Sequence, residues 1–528
     1  MDPGAIASAA QMRMYIIIGY LGLLVLLGLF ASRMGRGTKT DYLLASHSIG
    51  PFLLLMSLFG TTMTAFAMVG SSAEAYSNGI LPYGLMASSS GIVHSLCFFL
   101  VGIKLWSFGK RYGYSTQIEF FRDRLDSQLI GYVLFPILVV LLIPYLLLGV
   151  YASGMAIQAM TAGAFPDFAM FADAKPSMNG GVPRWLGSLV VCGVVLFYVF
   201  FGGMRGTAWA NAFQTMVFMV LGALAVYLLA MKLGGHDTLL ENLRELSSKV
   251  DADHTTRRQH SQLEFFTYLL IPLSVGMFPH IFQHWLTAKN AESFKLAVVC
   301  HPLFIMIVWV PCVFIGIWAT TLNLPPGVAA DPNTILPFLV KKELAPMIAG
   351  LLAAGILAAI MSSLDSQFLC VGTMFSTDIA EPLIGKQLDG RQQVWVARSF
   401  IVAIVIVTYL ISLLKVQSVF KMGVWSFAGF ASLFPVVFAS LYWKRLTAAG
   451  ALAGILTAIG SWLYLFQRGG WGADENFALE FFWQNEVVRA NPVVLPFIGG
   501  IVAMVLTSLI TKPPKNDVIA KFFPVNKS

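Results

Sequence analysis

The sequence predicts an all-α polytopic membrane protein with about thirteen transmembrane helices, two of them broken. Three observations carry that prediction. Of the 528 residues, 57% are hydrophobic and only 11% charged, whereas a soluble protein carries about a quarter charged residues. The apolar residues fall in long continuous runs rather than the ten-residue alternation of barrel strands. Two of those runs are interrupted by Gly, Pro and hydroxyl residues at corresponding places in the chain.

The runs of spanning length lie at about 14–32, 51–76, 83–106, 129–160, 186–203, 208–231, 264–287, 295–321, 345–378, 396–414, 418–441, 447–466 and 493–511. Each is long enough for the ~20 residues a helix needs to cross a bilayer. The first is read as an uncleaved span, because no small-residue cleavage pattern follows it and Arg33, Arg36 and Lys39 do. An odd number of spans puts the termini on opposite sides. Basic residues crowd the connections after spans one, three (Lys110, Arg111, Arg122, Arg124), seven (Lys289, Lys295), nine (Lys386, Arg391, Arg398) and eleven (Lys444, Arg445), and Lys512, Lys515 and Lys521 follow the last. The positive-inside rule therefore places the N-terminus outside and the C-terminus in the cytoplasm of a cell-membrane protein.

The formal net charge of +8 is spread through short loops, which argues against nucleic acid as a partner. The five cysteines, Cys97, Cys192, Cys300, Cys312 and Cys370, stand singly in or beside apolar runs. They read as small buried residues, not as a disulfide framework or a zinc site. No extramembrane piece exceeds about 30 residues, too short for an independent core. The chain also lacks GxSxG, HExxH and a pair of intramembrane aspartates, so an enzyme is not expected.

The interrupted spans are the second, LFGTTMTAFAMVGSSAEAYSNG, with Gly60, Thr61, Thr62, Thr64, Gly70 and Glu74, and the seventh, LLIPLSVGMFPHIFQHW, with Pro272, Gly276, Pro279 and His280. Paired broken helices in corresponding halves point to an inverted-repeat transporter, in which unwound backbone offers carbonyls to cations and helix ends to substrates.

Four segments carry a family resemblance: AAIMSSLDS (358–366), GGMRGTAWANAFQ (202–214), PHIFQHWLTAK (279–289) and SFAGFASLFPVVFASLYWKR (426–445). Together, in this order and on these spans, they resemble the sodium/solute symporter family, which includes bacterial sodium/proline permeases and sodium/glucose carriers. The resemblance covers about residues 14–511. It implies the amino-acid/cation symporter type of fold, with inverted five-helix repeats at 50–232 and 263–441. Around them lie an N-terminal accessory helix and loop (1–49), an outer loop (233–262), two accessory helices (442–511) and a cytoplasmic tail (512–528). It also implies a sodium ion between the first broken helix and the ninth span. Carried over, its ligands are the carbonyls of Gly60, Met63 and Ala359 and the hydroxyls of Ser362 and Ser363. A hard cation wants several such oxygens.

The family pattern usually has Asp where this chain has Asn211, and here Asp365 stands on the ninth span instead. Ser362, Asp365 and Ser366 share a helix face by their i, i+3, i+4 spacing. Asp365, Ser366 and Asn211 are therefore expected to form a second cation or proton site. Asp365 could bind sodium, titrate, or accept hydrogen bonds from Asn211 or Gln214. A carboxylate at bilayer depth costs at least ~2.5–3.5 kcal/mol, so something must offset it.

By the same resemblance the substrate lies between the breaks, against Thr62, Thr64 and Ala67 on one side and Met277, Phe278 and Pro279 on the other. Thr62 stands where proline permeases carry an acid, and Met86 where sugar carriers carry Glu. Span four (129–160) holds no Lys or Arg, so the Arg of sialic-acid carriers has no counterpart. A short monocarboxylate or amino acid fits better than a sugar, which makes the expected activity sodium-coupled symport of a small organic solute by a monomer in the lipid bilayer. A proton-coupled or uncoupled carrier, or a transporter-derived sensor, is the alternative. His94 and His280 read as packed, hydrogen-bonded histidines, Glu74 as a snorkelling or capping group, and Asp378 and the 104–128 loop as solvated cytoplasmic faces.

Overall fold

The structure is a computed structural model that describes residues 3–33, 38–256, 261–385, 388–414, 418–474, 477–483 and 486–524. Arg36, Lys386 and the last residues of the tail lie outside the described residues. The helices that matter are α1 (Pro3–Arg33), α2 (Pro51–Thr62), α3 (Phe66–Asn78), α4 (Ser88–Tyr112), α5 (Gln117–Leu125), α6 (Gln128–Thr161), α7 (Arg184–Gly234), α8 (Gln262–Gly276), α9 (Pro279–Leu286), α10 (Ser293–Ala319), α11 (Pro346–Ile384), α12 (Gly390–Ser412), α13 (Val419–Tyr442), α14 (Ala448–Arg468), α15 (Val494–Ile510) and α16 (Asn516–Phe522).

Among the described residues, nine helices are long and apolar enough to cross a membrane, and eleven spans result when each of the two bent pairs is one span. The thirteen expected segments all fall on helix, and the difference has two causes. Segments 186–203 and 208–231 both lie in α7, a run of 51 residues that the non-helical Gly203 (φ 53°, ψ −151°) divides into two helices, each long enough for one crossing. The last segment, α15, has 17 residues, at the short end of the range for a crossing. The all-α architecture carries one small addition. Between α14 and α15 the chain forms a hairpin, β1 (Leu479–Trp483) antiparallel to β2 (Glu486–Ala490), with Phe481 opposite Val488. The hairpin is tied to α8 where Ser261 Oγ donates to the Arg489 carbonyl (2.5 Å) and Asn491 N–H donates to Thr267 Oγ1 (2.8 Å).

Both breaks have local causes. α2 stops because Met63 is extended (φ −87°, ψ 110°). Thr64 then restarts the chain, its Oγ1 accepting from Phe66 N–H (3.1 Å) as a capping residue does. The two halves meet at 54°. In the second pair Pro279 opens α9 and Phe278 before it is extended (φ −63°, ψ 119°), the conformation a following proline enforces. Here the halves meet at 47°.

α11 and α13 are the most enclosed spans, while α7 shows most of its surface outward. α11 earns its central place with small residues. A Cβ on Gly355 would stand 3.0 Å from Leu221, and one on Gly372 would stand 2.7 Å from the Ala397 carbonyl, so neighbouring helices approach backbone to backbone.

The cytoplasmic-face expectation holds for Lys110, Arg111 and Asp126, which are exposed, and is overturned for Asp378 and Arg124. Asp378 and Arg124 are fully buried. Arg122 Nη1 lies 3.4 Å from Asp378 Oδ1, and Arg124 donates to the carbonyls of Ser440 (2.8 Å) and Trp443 (3.0 Å). The loop helix α5 carries these arginines inward to the ends of α11 and α13, where they meet acceptors rather than water. Glu74 behaves as a paired group, 2.9 Å from Lys421 Nζ and accepting from Asn78 Nδ2 at 2.8 Å.

Gly203 has φ 53° and ψ −151°, a region open almost only to glycine. A Cβ there would lie 2.7 Å from the Tyr42 carbonyl oxygen. Gly203→Ala is expected to lower stability by about 1–3 kcal/mol, seen as an earlier melting transition of detergent-purified protein.

Candidate cation and solute sites

The end of α2 leaves backbone carbonyls without the next helical turn to receive their bonds. Gly60 is one of them. Its carbonyl accepts from Ser362 Oγ on α11 at 2.8 Å, and the same Oγ lies 3.0 Å from the Ala359 carbonyl. Three of the five expected sodium ligands thus converge across the α2–α11 seam. Gly60 must be glycine for α2 to lie against α7, because a Cβ would stand 2.5 Å from Thr215 Oγ1. Met63 lies at the break itself and is buried. Ser363 is buried too, but its Oγ donates to the Ile360 carbonyl of its own helix (3.0 Å) and makes no bond across the seam.

One turn further along α11 the structure brings Asp365, Ser366 and Asn211 together. Tyr198 OH donates to Asp365 Oδ2 at 3.0 Å and Ser366 Oγ to Oδ1 at 3.0 Å. With the Asn211 amide turned so that its nitrogen faces the carboxylate, Nδ2 lies 3.1 and 3.0 Å from the two carboxylate oxygens and 3.0 Å from the Ser362 carbonyl, while its oxygen lies 3.0 Å from Ser366 Oγ, an alternative acceptor for that hydroxyl's proton. His284 Nε2 on α9 stands 2.9 Å from Ser366 Oγ. Asp365 is fully buried, and these direct partners are all neutral. Asn211 was legible as a partner, while Gln214 makes no bond to Asp365 and its Nε2 is unpaired. Tyr198 and His284 were missed. Each sits in an apolar or aromatic stretch where nothing in the spacing sets it apart.

The expected solute residues are partly assembled. Thr64 adjoins Tyr145 of α6, and the Phe278 ring packs against Tyr145 (5.5 Å between centroids), His280 (5.1 Å), Phe427 (5.5 Å) and Phe430 (5.0 Å). Ala67 is buried beside the break, its N–H donating to the Thr64 carbonyl (3.0 Å). Thr62, half-buried, bonds back to the Phe59 carbonyl (2.9 Å). The Met277 carbonyl is occupied by Gln117 Nε2 of α5 (3.3 Å), and Pro279 serves to open α9. Tyr145 and Phe427 are the contributions that sequence reasoning missed. Of the two histidines, His94 is hydrogen-bonded as expected, its Nδ1 lying 3.1 Å from His301 Nε2. His280 is packed but not hydrogen-bonded, which corrects the expectation.

Asp365→Ala would leave the Tyr198 hydroxyl and the Asn211 amide buried without acceptors, at about 1–3 kcal/mol for each such group. Asp365→Asn retains an acceptor and should cost less, an ordering that melting curves of the two variants check.

Comparison with known proteins agrees with this architecture. Residues 42–458 match the sodium:solute symporter family. A sodium/proline symporter of Staphylococcus aureus is 24% identical over 526 residues, covering 96% of this chain and 94% of the relative. One from Haemophilus influenzae is 24% identical over 510 residues, covering 93% of each chain. In fold, the structure resembles a Na+-coupled sialic acid symporter in a substrate-bound outward-open state (TM-score 0.73, 18% identity, 96% of this chain and 99% of that one). It also resembles Mhp1, a nucleobase-cation-symport-1 family transporter in a closed conformation (TM-score 0.55, 11% identity, 91% and 97%). The chain therefore belongs to the sodium:solute symporter family: it is a multi-pass, sodium-coupled solute transporter rather than an enzyme.

Proposed function

We propose that the chain carries a short monocarboxylate or amino acid together with sodium by alternating access, as a monomer in the cell membrane with its N-terminus outside and C-terminus in the cytoplasm. The observation that carries the ion side of this reading is the Ser362 hydroxyl bridging the Gly60 and Ala359 carbonyls at 2.8 and 3.0 Å. Sodium at that seam draws on these three oxygens, on the Met63 carbonyl at the break, and on Ser363 once its hydroxyl leaves the Ile360 carbonyl. Asp365, with Ser366 and Asn211, is the second cation site. Its buried charge has only neutral partners here, and a cation beside it offsets the cost of burial.

The repeats at 50–232 and 263–441 each open with a broken helix, α2–α3 and α8–α9, bent by similar angles. The segments 1–49 and 442–511 brace them, and the outer loop 233–262 and tail 512–528 complete the chain. The solute is assigned to the space between Thr62, Thr64 and Ala67 at the first break and Met277, Phe278 and Pro279 at the second. The lining is aromatic and weakly polar, which favours a small solute over a hexose, and proline is a reasonable first probe because curated relatives are sodium/proline symporters.

Thermal unfolding in sodium chloride against choline chloride tests the ion reading. A ligand that binds only the folded state adds about 2.7 kcal/mol at a hundredfold excess over Kd. A sodium-specific rise is expected in the wild type, absent in Ser362→Ala and reduced in Asp365→Asn. Equal melting temperatures in the two salts for the wild type would refute sodium coupling at this seam.

A further inference from the structure

His280 occupies the second position of α9, directly after the Phe278–Pro279 break. It is 0% exposed, and neither Nδ1 nor Nε2 has a hydrogen-bond partner. It is the one described histidine with both ring nitrogens buried and unpaired. His284 and His301 each retain one bond, to Ser366 and His94 respectively. The His280 ring is fixed by its faces, stacked on Phe278 (5.1 Å, 23°) and edge-on to Tyr145 (5.7 Å, 60°). Buried polar side-chain atoms nearly always find partners, and leaving one unmade costs about 1–3 kcal/mol. A phenylalanine would fill the same place without that cost. The polar atoms are therefore an expense with no structural return in the solute-free protein.

We propose that His280 is the solute-recognising side chain of the cleft, one ring nitrogen donating its N–H to the carboxylate of the bound solute. This rests on reading the two breaks as the solute site, and it names the chemistry of that site. The groups packed against His280 are Phe278 and, on α6, Tyr145, with His284 one turn further along α9; Thr64 and Phe427 adjoin Tyr145. Residues 129–160 contribute no Lys or Arg, so a carboxylate here is held by neutral donors. The imidazole supplies one. The first turn of α9 supplies others, since the N–H groups of His280 and Ile281 precede the first intrahelical bond, which Phe282 N–H makes to the Phe278 carbonyl (3.1 Å). The helix dipole favours the anion at that same end. The rings of Tyr145, Phe278 and Phe427 take the aliphatic part. The class of ligand is thus a carboxylate on a short apolar body, zwitterionic amino acids included.

The test compares wild type with His280→Phe and His280→Gln, purified and reconstituted at fixed saturating sodium. The probes are L-proline, L-alanine, lactate and acetate, read by radiolabelled uptake and by the shift each gives in melting temperature. The wild type is expected to bind at least one of them. His280→Phe is expected to bind it about 10- to 100-fold more weakly, the scale of a lost hydrogen bond to a charged group, and His280→Gln to recover part of the loss. Without solute, His280→Phe should melt at or above the wild-type temperature and keep the sodium-specific shift. A variant that melts lower without solute yet binds the probe as the wild type does would overturn the proposal, since His280 would then be structural. Wild type that binds none of the four probes would overturn the carboxylate assignment. Loss of the sodium shift in the wild type is a separate result, which contradicts the symport reading and not the role of His280.

Discussion

Inside a bilayer an unpaired backbone carbonyl has no water to bond to, and each one left unsatisfied costs several kcal/mol. A helix broken at mid-depth is tolerable only where other oxygens, donors or ions meet the exposed backbone. The break at Met63 satisfies this through one contact, the Ser362 hydroxyl against the Gly60 carbonyl. Much else in the core follows from it. Gly60 must lack a side chain so that α2 can lie against α7, and α11 must be rich in Gly and Ala so that α1, α7 and α12 can surround it.

The second polar locus extends the same seam. Asp365 sits three residues after Ser362, and the Asn211 amide reaches both the carboxylate and the Ser362 carbonyl. Ser366 links the carboxylate to His284 on the second half of the other broken helix. One buried chain of hydrogen bonds therefore joins α11, α7 and α9, and a change at any member is felt where the two breaks approach. The aromatic cluster of Phe66, Tyr145, Phe278 and Phe427 occupies the neighbouring space.

Much of this was legible in the chain. Continuous apolar runs located every membrane helix, and Gly60, Thr64 and Pro279 marked the breaks, because glycine, hydroxyl and proline act locally on the backbone. The i, i+3, i+4 spacing placed Ser362, Asp365 and Ser366 on one face, and resemblance supplied Asn211 as their partner. The illegible parts depend on contacts between distant segments. Tyr198 reaches Asp365 from a helix of ordinary aromatic composition. Arg124 and Asp378 looked like solvated loop charges until the packing of α5 buried them. The two halves of α7 were legible as separate apolar runs, and the φ angle of Gly203 is what turns the chain between them.

The claim on which the account turns is that the α2–α11 seam holds sodium. Equilibrium binding of radioactive sodium to the purified protein tests it most directly. The account predicts saturable binding, displaced by unlabelled sodium but not by potassium, and abolished in Ser362→Ala while the variant remains folded. Binding that survives intact in Ser362→Ala, or no saturable binding in the wild type, would contradict it.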